Sequence, residues 1–427
     1  MKHIATYQKN LSLIQHRWPE VGTKLDLAQL PESVELVTNT PDPTLRIKGI
    51  HLTSAYDRRR EAERQGGLIP LQSPLAWVYG IGLGDLPRSL LGRNELRQLN
   101  IVILNPSVAV AALTYFDHSD WLTDPRVALH SGDEAKLAVP LAANPACLIL
   151  ADARSASLRD RVFLELATPF IRKQHSSENP EIQDRIAANE RFIKNDGDVG
   201  SLFGKKLGAT IMVAAAGPSL THGLSQILHH KAHFPLLAVN SALKPLAQAG
   251  IVPDAVVAID SDPKIISCFE GVDLHLFENV PLIYFPRVPK AVLAIWPGPR
   301  LVAFSEHPTY EAISKAYPRG KLFSSGSVIH PTVDLAVQMG ATTVILFGAD
   351  LAFPGGIEYA EGAGWEKTAS NGMQHWVADG HGNPVNTTAA LRGYLRDLED
   401  YITTKPSVRF FNSSQDGAWI KGTELWK

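Results

Sequence analysis

Apolar residues along this chain gather into short runs bounded by Gly, Pro, Asn and Asp, and amphipathic segments alternate with them. That alternation predicts strands and helices in turn, the pattern of a parallel sheet with helical crossovers. It occurs twice. From about residue 75, "LAWVY" predicts a strand, "GDLPRSLLG" a helix, "LNIVIL" a strand, "VAVAALTYF" a helix, "RVALHSG" a strand and "PACLILAD" a further strand. From Ala209 the pattern restarts. "ATIMVAAAG", "FPLLAVN", "PDAVVAID", "VPLIYFP", "RLVAFS" and "TTVILFGAD" predict strands. "PSLTHGLSQILHH", "SALKPLAQAG" and "GSVIHPTVDLAVQMG" predict helices, the last stopped by Gly. The tail adds a helix, "TTAALRGYLRDLEDYIT", and a strand, "SVRFFNSS".

Two stretches break the rhythm. Residues 1–70 read as a lead-in, helical and then strand-bearing, with a Pro-Asp-Pro turn at 41–43. Residues 171–207 are polar with a helical middle and read as a linker. The expected architecture is therefore α/β with two parallel-sheet units, at 71–170 and 208–427.

Ligands of open parallel sheets sit at the carboxyl ends of the strands. The residues there are Gly217, Pro218 and Ser219, then Asn240, Asp260, Asp262, Asp350 and Asn412. Ser325, Gly326 and Ser327 open another helix, and Tyr359 follows in a Gly-Gly loop. In "AAGPSL", Gly217 permits a sharp exit from the strand and Pro218 suits a first helical turn. Ser219 brings a hydroxyl near the exposed amides, so the turn is a candidate anion seat. Asp260-Ser261-Asp262 either holds a hard cation through its carboxylates or caps the following helix. The earlier turn, Gly80-x-Gly82-x-Gly84, has the strand-to-helix setting of a nucleotide loop. Its next strand, however, ends on Asn105, with no carboxylate for a ribose, which favours a tight turn without ligand over a degenerate nucleotide site.

Composition narrows the class. The chain has 427 residues, 45% hydrophobic and 20% charged, with a net charge of −2. Such a length calls for more than one domain, and such a balance is not that of a nucleic-acid binder. Cys147 and Cys268 stand far apart in apolar surroundings and read as buried thiols of a reducing compartment. No apolar leader and no run long enough for a membrane helix is seen, so a cytoplasmic protein without a membrane span is expected.

The ordered set "AAGPSL", "VNSALKPLAQAGIVPDAVVAID", "SSGSV", "DLAVQMGATTVILFGADLAF" and "YAEG" resembles the motility-associated factor (Maf) family. The upstream "YGIGLGDL" and "IVILNP" resemble its Rossmann-like N-terminal region. These are glycosyltransferases linked to the transfer of nonulosonic acids to flagellin. The same core is similar to bacterial sialyltransferases that use CMP-sialic acid. The resemblance implies two Rossmann-like units and a CMP-linked donor. It puts Gly217, Pro218, Ser219, Asn240, Ser325, Gly326, Ser327 and Tyr359 on the nucleotide. His381, in "DGHGNP", is implied as general base, since an imidazole titrates near neutrality, and Asp350, the acidic strand end, as a second catalytic residue that could assist the acceptor hydroxyl in its place. Ala216 stands where the sialyltransferases carry Asn, and Ala352 and Phe353 where they carry a second Tyr, which leaves the donor open.

No obligatory cofactor is implied, and Asp260 and Asp262 are the residues for Mg²⁺ or Mn²⁺ if the donor needs one. The implied partners are the nucleotide-sugar donor and a Ser/Thr acceptor on flagellin or a related protein. The "GPSL" domain is shared with MptE-like 6-hydroxymethylpterin diphosphokinases, which gives a rival expectation of ATP- and Mg²⁺-dependent pyrophosphoryl transfer. A non-catalytic, nucleotide-binding flagellar accessory protein is the third.

Overall fold

The computed structural model describes residues 2–174, 180–363 and 375–426. The chain divides into two compact units, Met1–Thr168 and Pro169–Lys427.

In the first unit, helices Lys2–Arg17 and Pro19–Asp26 precede an antiparallel meander, β1 (Val34–Val37), β2 (Thr44–Ile47) and β3 (Ile50–His51). Then come β4 (Leu75–Tyr79), β5 (Gln98–Ile103), β6 (Val127–Ser131) and β7 (Leu141–Ala143), a parallel sheet in the order β6-β5-β4-β7. The opening helices are no loose lead-in. Leu11 and Ile14 are buried in the same core as Val78 and Ile101. Buried Asn10 donates to the Leu113 and Phe116 carbonyls, both at 2.8 Å, at the end of helix Pro106–Tyr115.

One predicted strand fails here. "PACLILAD" is not extended: the strand is the shorter β7 just before it, and Pro145–Ile149 is helical. Asn144 explains the switch, because its side chain caps the Cys147 N–H at 2.9 Å and Pro145 pre-sets the first helical turn.

The second unit is built on β8 (Gly197–Asp198), β9 (Thr210–Ala214), β10 (Leu236–Val239), β11 (Ala255–Ala258), β12 (Leu282–Tyr284), β13 (Arg300–Val302), β14 (Thr343–Phe347), the hairpin β15 (His375–Ala378) and β16 (Pro384–Thr387), β17 (Arg409–Asn412) and β18 (Thr423–Leu425). Nine of these form one sheet, ordered β18-β17-β14-β9-β10-β11-β12-β13-β8, with every neighbouring pair parallel. All its carboxyl ends therefore lie along one edge. The strands β9, β10, β11 and β14 are almost wholly buried, as strands covered on both faces must be. The order reverses between β9 and β14, so the chain leaves β9 in opposite directions at that point.

The stretch set apart as a linker contributes to this core. Ile182, Ile186 and Ile193 are buried in it, a thin apolar stripe that charged neighbours hide in the sequence. Asp196, close behind, bonds to the guanidinium of Arg300 at 2.9 and 3.0 Å and to the Tyr284 hydroxyl at 3.0 Å. Asp198 accepts from the Gly320 N–H at 2.7 Å. No helix among the described residues is long and apolar enough to cross a membrane.

Candidate functional site

At the reversal point, β9 gives way to the Gly217-Pro218-Ser219 turn and then to helix Leu220–His230. The turn is tied to the end of β14. Ala215 N–H donates to the Phe347 carbonyl at 2.8 Å, Gly217 N–H to the Gly348 carbonyl at 2.9 Å, and Ser219 N–H to the Asp350 carboxylate at 2.9 Å. A side chain at 217 has no room, since a Cβ would stand 2.3 Å from Asp350 Oδ2 and 2.6 Å from the Gly348 carbonyl oxygen. On the other side of the same carboxylate, a Cβ at Gly417 would meet Asp350 Oδ1 at 2.5 Å.

Asp350 is thus a buried hub, 2% exposed. Burial pushes its carboxyl up to about 6, opposed by the Ser219 N–H. Glycine at 217 is explained by a close approach rather than by backbone conformation. The amides of Gly217 and Ser219 are committed to this tie, and those of Leu220 and Thr221 to the Gly217 and Pro218 carbonyls. The turn therefore offers no free amide nest to an anion. It leaves the Ser219 hydroxyl, buried beside the Asp350 carboxylate.

Beside the turn lies a cavity of about 990 Å³. Pro218, Ser219, His222, Tyr359, Asp379 and Asp416 are among the residues that line it. Tyr359 is half-buried, and burial raises its hydroxyl above the usual range. His381 sits in the β15–β16 turn, where its N–H donates to the Asp379 carboxylate at 2.9 Å. Its Nε2 lies 3.6 Å from Asp416 Oδ1, and both side chains are exposed. His381 is therefore one residue removed from the cavity wall, whereas His222 is part of that wall. No sequence motif marks His222. Its only signal was its position three residues after Ser219.

Asn240, Asp260 and Asp262 follow β10 and β11 on the same sheet edge. Asn240 is buried and donates to Cys268 Sγ at 3.5 Å. Burial pushes the Cys268 thiol up to about 11, so it is no nucleophile. Asp262 caps the 3-10 turn Pro263–Cys268, accepting from Lys264 N–H at 2.9 Å, and Asp260 accepts from Asp262 N–H at 3.0 Å. Capping is the role this geometry supports. Among the described residues no three His, Cys, Asp or Glu side chains are gathered as a metal site, and we derive no step through a metal.

Ser325 donates to Asp397 at 2.6 Å. Gly326 has φ of +88°, and its would-be Cβ stands 2.6 Å from the Tyr394 ring. The Ser327 carbonyl accepts from His330 N–H at 3.2 Å. Asn412, at the end of β17, accepts from Ser414 N–H at 3.3 Å. Tyr359 lines the cavity, and the charge of Asp260 adds to the burial that raises its hydroxyl.

The Gly80–Gly84 turn of the first unit is packed shut. All three glycines have positive φ. A Cβ would meet Cys147 Cβ at 2.2 Å from Gly80, Asn144 Nδ2 at 2.7 Å from Gly82, and Trp121 Nε1 at 2.7 Å from Gly84. The hollow beside it measures about 10 Å³, room for a single water. Asp85, at the helix start, is taken by Arg58 at 2.8 Å.

Residues 184–356 match the family model described as 6-hydroxymethylpterin diphosphokinase MptE-like. That span holds every predicted strand-end residue of the second unit except Tyr359, His381 and Asn412. Among solved structures, the chain is similar to the Maf glycosyltransferase from Magnetospirillum magneticum AMB-1. The TM-score is 0.47 at 16% identity, over 100% of this chain and 75% of that one. No curated protein gives a significant sequence match.

Proposed function

We propose, from the premise of an MptE-like match over 184–356, that the second unit is a nucleotide-dependent group transferase, and specifically a glycosyltransferase. The observation that carries this reading is the cavity of about 990 Å³ at the carboxyl edge of the nine-stranded parallel sheet, at its reversal point. The finer proposal is a nonulosonic acid, carried on CMP, transferred to a Ser or Thr hydroxyl of flagellin or a related protein.

In that mechanism the nucleotide lies across Pro218, Ser219 and Tyr359 towards Asn240 and Ser325–Ser327. Asp350 positions the turn and does not touch the reacting atoms. His381, at the rim, takes the proton of the acceptor hydroxyl. The acceptor oxygen bonds to the anomeric carbon as the bond from that carbon to the phosphate oxygen breaks, so CMP leaves with the electron pair and configuration inverts. His222 is the alternative base, being in the cavity wall.

A second reading rests on the same family match: ATP-dependent pyrophosphoryl transfer to a pterin alcohol. One calorimetric titration separates them. CMP binding without added metal is expected for the glycosyltransferase. ATP binding that requires Mg²⁺ would replace that reading with the diphosphokinase, and binding of neither nucleotide would remove both.

A further inference from the structure

Arg287 follows β12 at the carboxyl edge of the sheet, in "YFPRVP". Its backbone is gripped from behind. Asn189, fully buried, donates through one nitrogen to the Pro286 carbonyl at 2.8 Å and the Val288 carbonyl at 2.7 Å. Val288 N–H closes a turn onto the Phe285 carbonyl at 3.0 Å. Its side chain is held as well, with Nε donating to the Ile259 carbonyl at 2.7 Å, just past the end of β11. The head group is thus fixed at both ends of its reach. Its two terminal nitrogens make no hydrogen bond or ion pair among the described residues.

That is unusual for a half-buried arginine with a carboxylate at hand. Asp260, next to Ile259, instead accepts the Asp262 N–H. The Tyr394 hydroxyl is likewise without a hydrogen bond among the described residues. Burial and Asp260 raise the Tyr394 hydroxyl, and the Arg287 charge opposes them; Tyr310 feels the same charge. Tyr394 in turn covers Gly326 of the predicted nucleotide patch. A guanidinium fork that is preorganised and left unpaired matches one ligand chemistry, a planar or tetrahedral oxyanion held by two parallel N–H bonds.

We propose that Arg287 is an oxyanion-binding residue, with Tyr394 beside it, at the end of the site remote from the Gly217–Ser219 turn. The idea rests on the transferase reading for its substrate, which supplies two oxyanions: the nucleotide phosphate and the carboxylate of an acidic sugar. The cradle itself stands on the geometry alone.

The test uses the full chain and calorimetry with four probes: orthophosphate, CMP, cytidine and free N-acetylneuraminate. Arg287→Gln removes the charge, and Arg287→Lys keeps the charge without the fork. Circular dichroism checks that both remain folded. Arg287→Gln is expected to weaken orthophosphate and CMP by about 10-fold or more, the scale of a bidentate charge-assisted contact, while cytidine is unaffected. Arg287→Lys should fall between. A loss confined to N-acetylneuraminate assigns the fork to the sugar carboxylate instead.

Equal affinities of wild type and Arg287→Gln for every oxyanion probe overturn the proposal, as does a wild type that binds none of them. If every oxyanion probe binds alike to both and CMP still binds, Arg287 falls and the transferase reading stands. If orthophosphate binds through Arg287 but neither CMP nor ATP binds, Arg287 stands and that reading falls.

Discussion

Each unit carries a glycine turn between a strand and a helix, and the two turns were almost equally suggestive as sequence. In the structure they are opposites. At Gly80–Gly84 the glycines are needed because the backbone turns left-handed against Cys147, Asn144 and Trp121, which fill the place a ligand would take. At Gly217 no left-handed residue is involved. The glycine is needed because a buried carboxylate, Asp350, reaches in to hold Ser219, and the outer side opens on a cavity about a hundred times larger than the hollow beside the first turn. A glycine therefore marks closeness. What it is close to decides whether the turn is a packing device or the wall of a site.

The strongest test of that contrast is to fill both turns. Gly80→Ala should cost about 3 kcal/mol or more, since overpacking adds to a backbone that disfavours side chains. Denaturation should show the loss in the first unit, with nucleotide binding by the second unchanged. Gly217→Ala should lose nucleotide binding along with stability. If Gly80→Ala abolished binding while the protein was still folded, the first turn would not be sealed in function.

The second test uses the acid–base group pressed against each turn. His118 is buried beside Gly84, accepts from Trp121 Nε1 at 3.0 Å, and is pushed down to about 4 by burial. The unfolded chain then binds more protons between pH 4 and 6.5, so this group makes stability rise with pH. Asp350, raised to about 6 from 3.8, does the reverse. The native state holds its proton more tightly, so its contribution is complete below pH 3.8 and is lost as pH rises through about 6. Each shift corresponds to about 3 kcal/mol. Urea unfolding of wild type against His118→Asn and Asp350→Asn, followed unit by unit from pH 4 to 7, should give difference slopes of opposite sign. Slopes of the same sign would mean that one of the two environments is misread.

Next in size, His381→Ala is expected to lower kcat by about 100-fold with little change in KM, the scale of a lost general base. If His222→Ala does so instead, the base lies in the cavity wall. The smallest effects belong to Ser219→Ala and Tyr359→Phe, about 3- to 10-fold weaker nucleotide binding for one hydrogen bond each. Asn105→Ala, at the helix start after β5, should destabilise its cap and leave binding unaltered.

The second sheet was legible because its strands are continuous apolar runs ended by Gly, Asn or Asp, and such runs have few alternatives in a parallel sheet. Even so, "PACLILAD" was misread, because an apolar run of that length has no period to tell helix from strand, and the Asn144 cap was the only cue. The candidate site was legible where it coincided with strand ends: Ser219, Asn240, Asp260 and Asp350. Its working contacts were not, because they join residues far apart in the chain. Asp350 meets Gly417, Ser325 meets Asp397, and Asn189 grips the carbonyls flanking Arg287. His222 and Arg287 belong to no motif, and only placement singles them out.

The far edge of that sheet has a consequence in time. Strand β8 comes before β9 in the chain yet pairs with β13, at the opposite end of the run that β9 begins. On a ribosome, its partner emerges about 100 residues later, on the order of ten seconds at ordinary rates of synthesis. Throughout that interval Asp196 and Asp198 wait without Arg300 and Gly320, their partners in the finished sheet. Carboxylates can wait in water at no cost, where an apolar strand would invite a wrong neighbour. The first strand of this sheet to be made is paired only after five more have emerged, and acidic residues sit in and beside it until then.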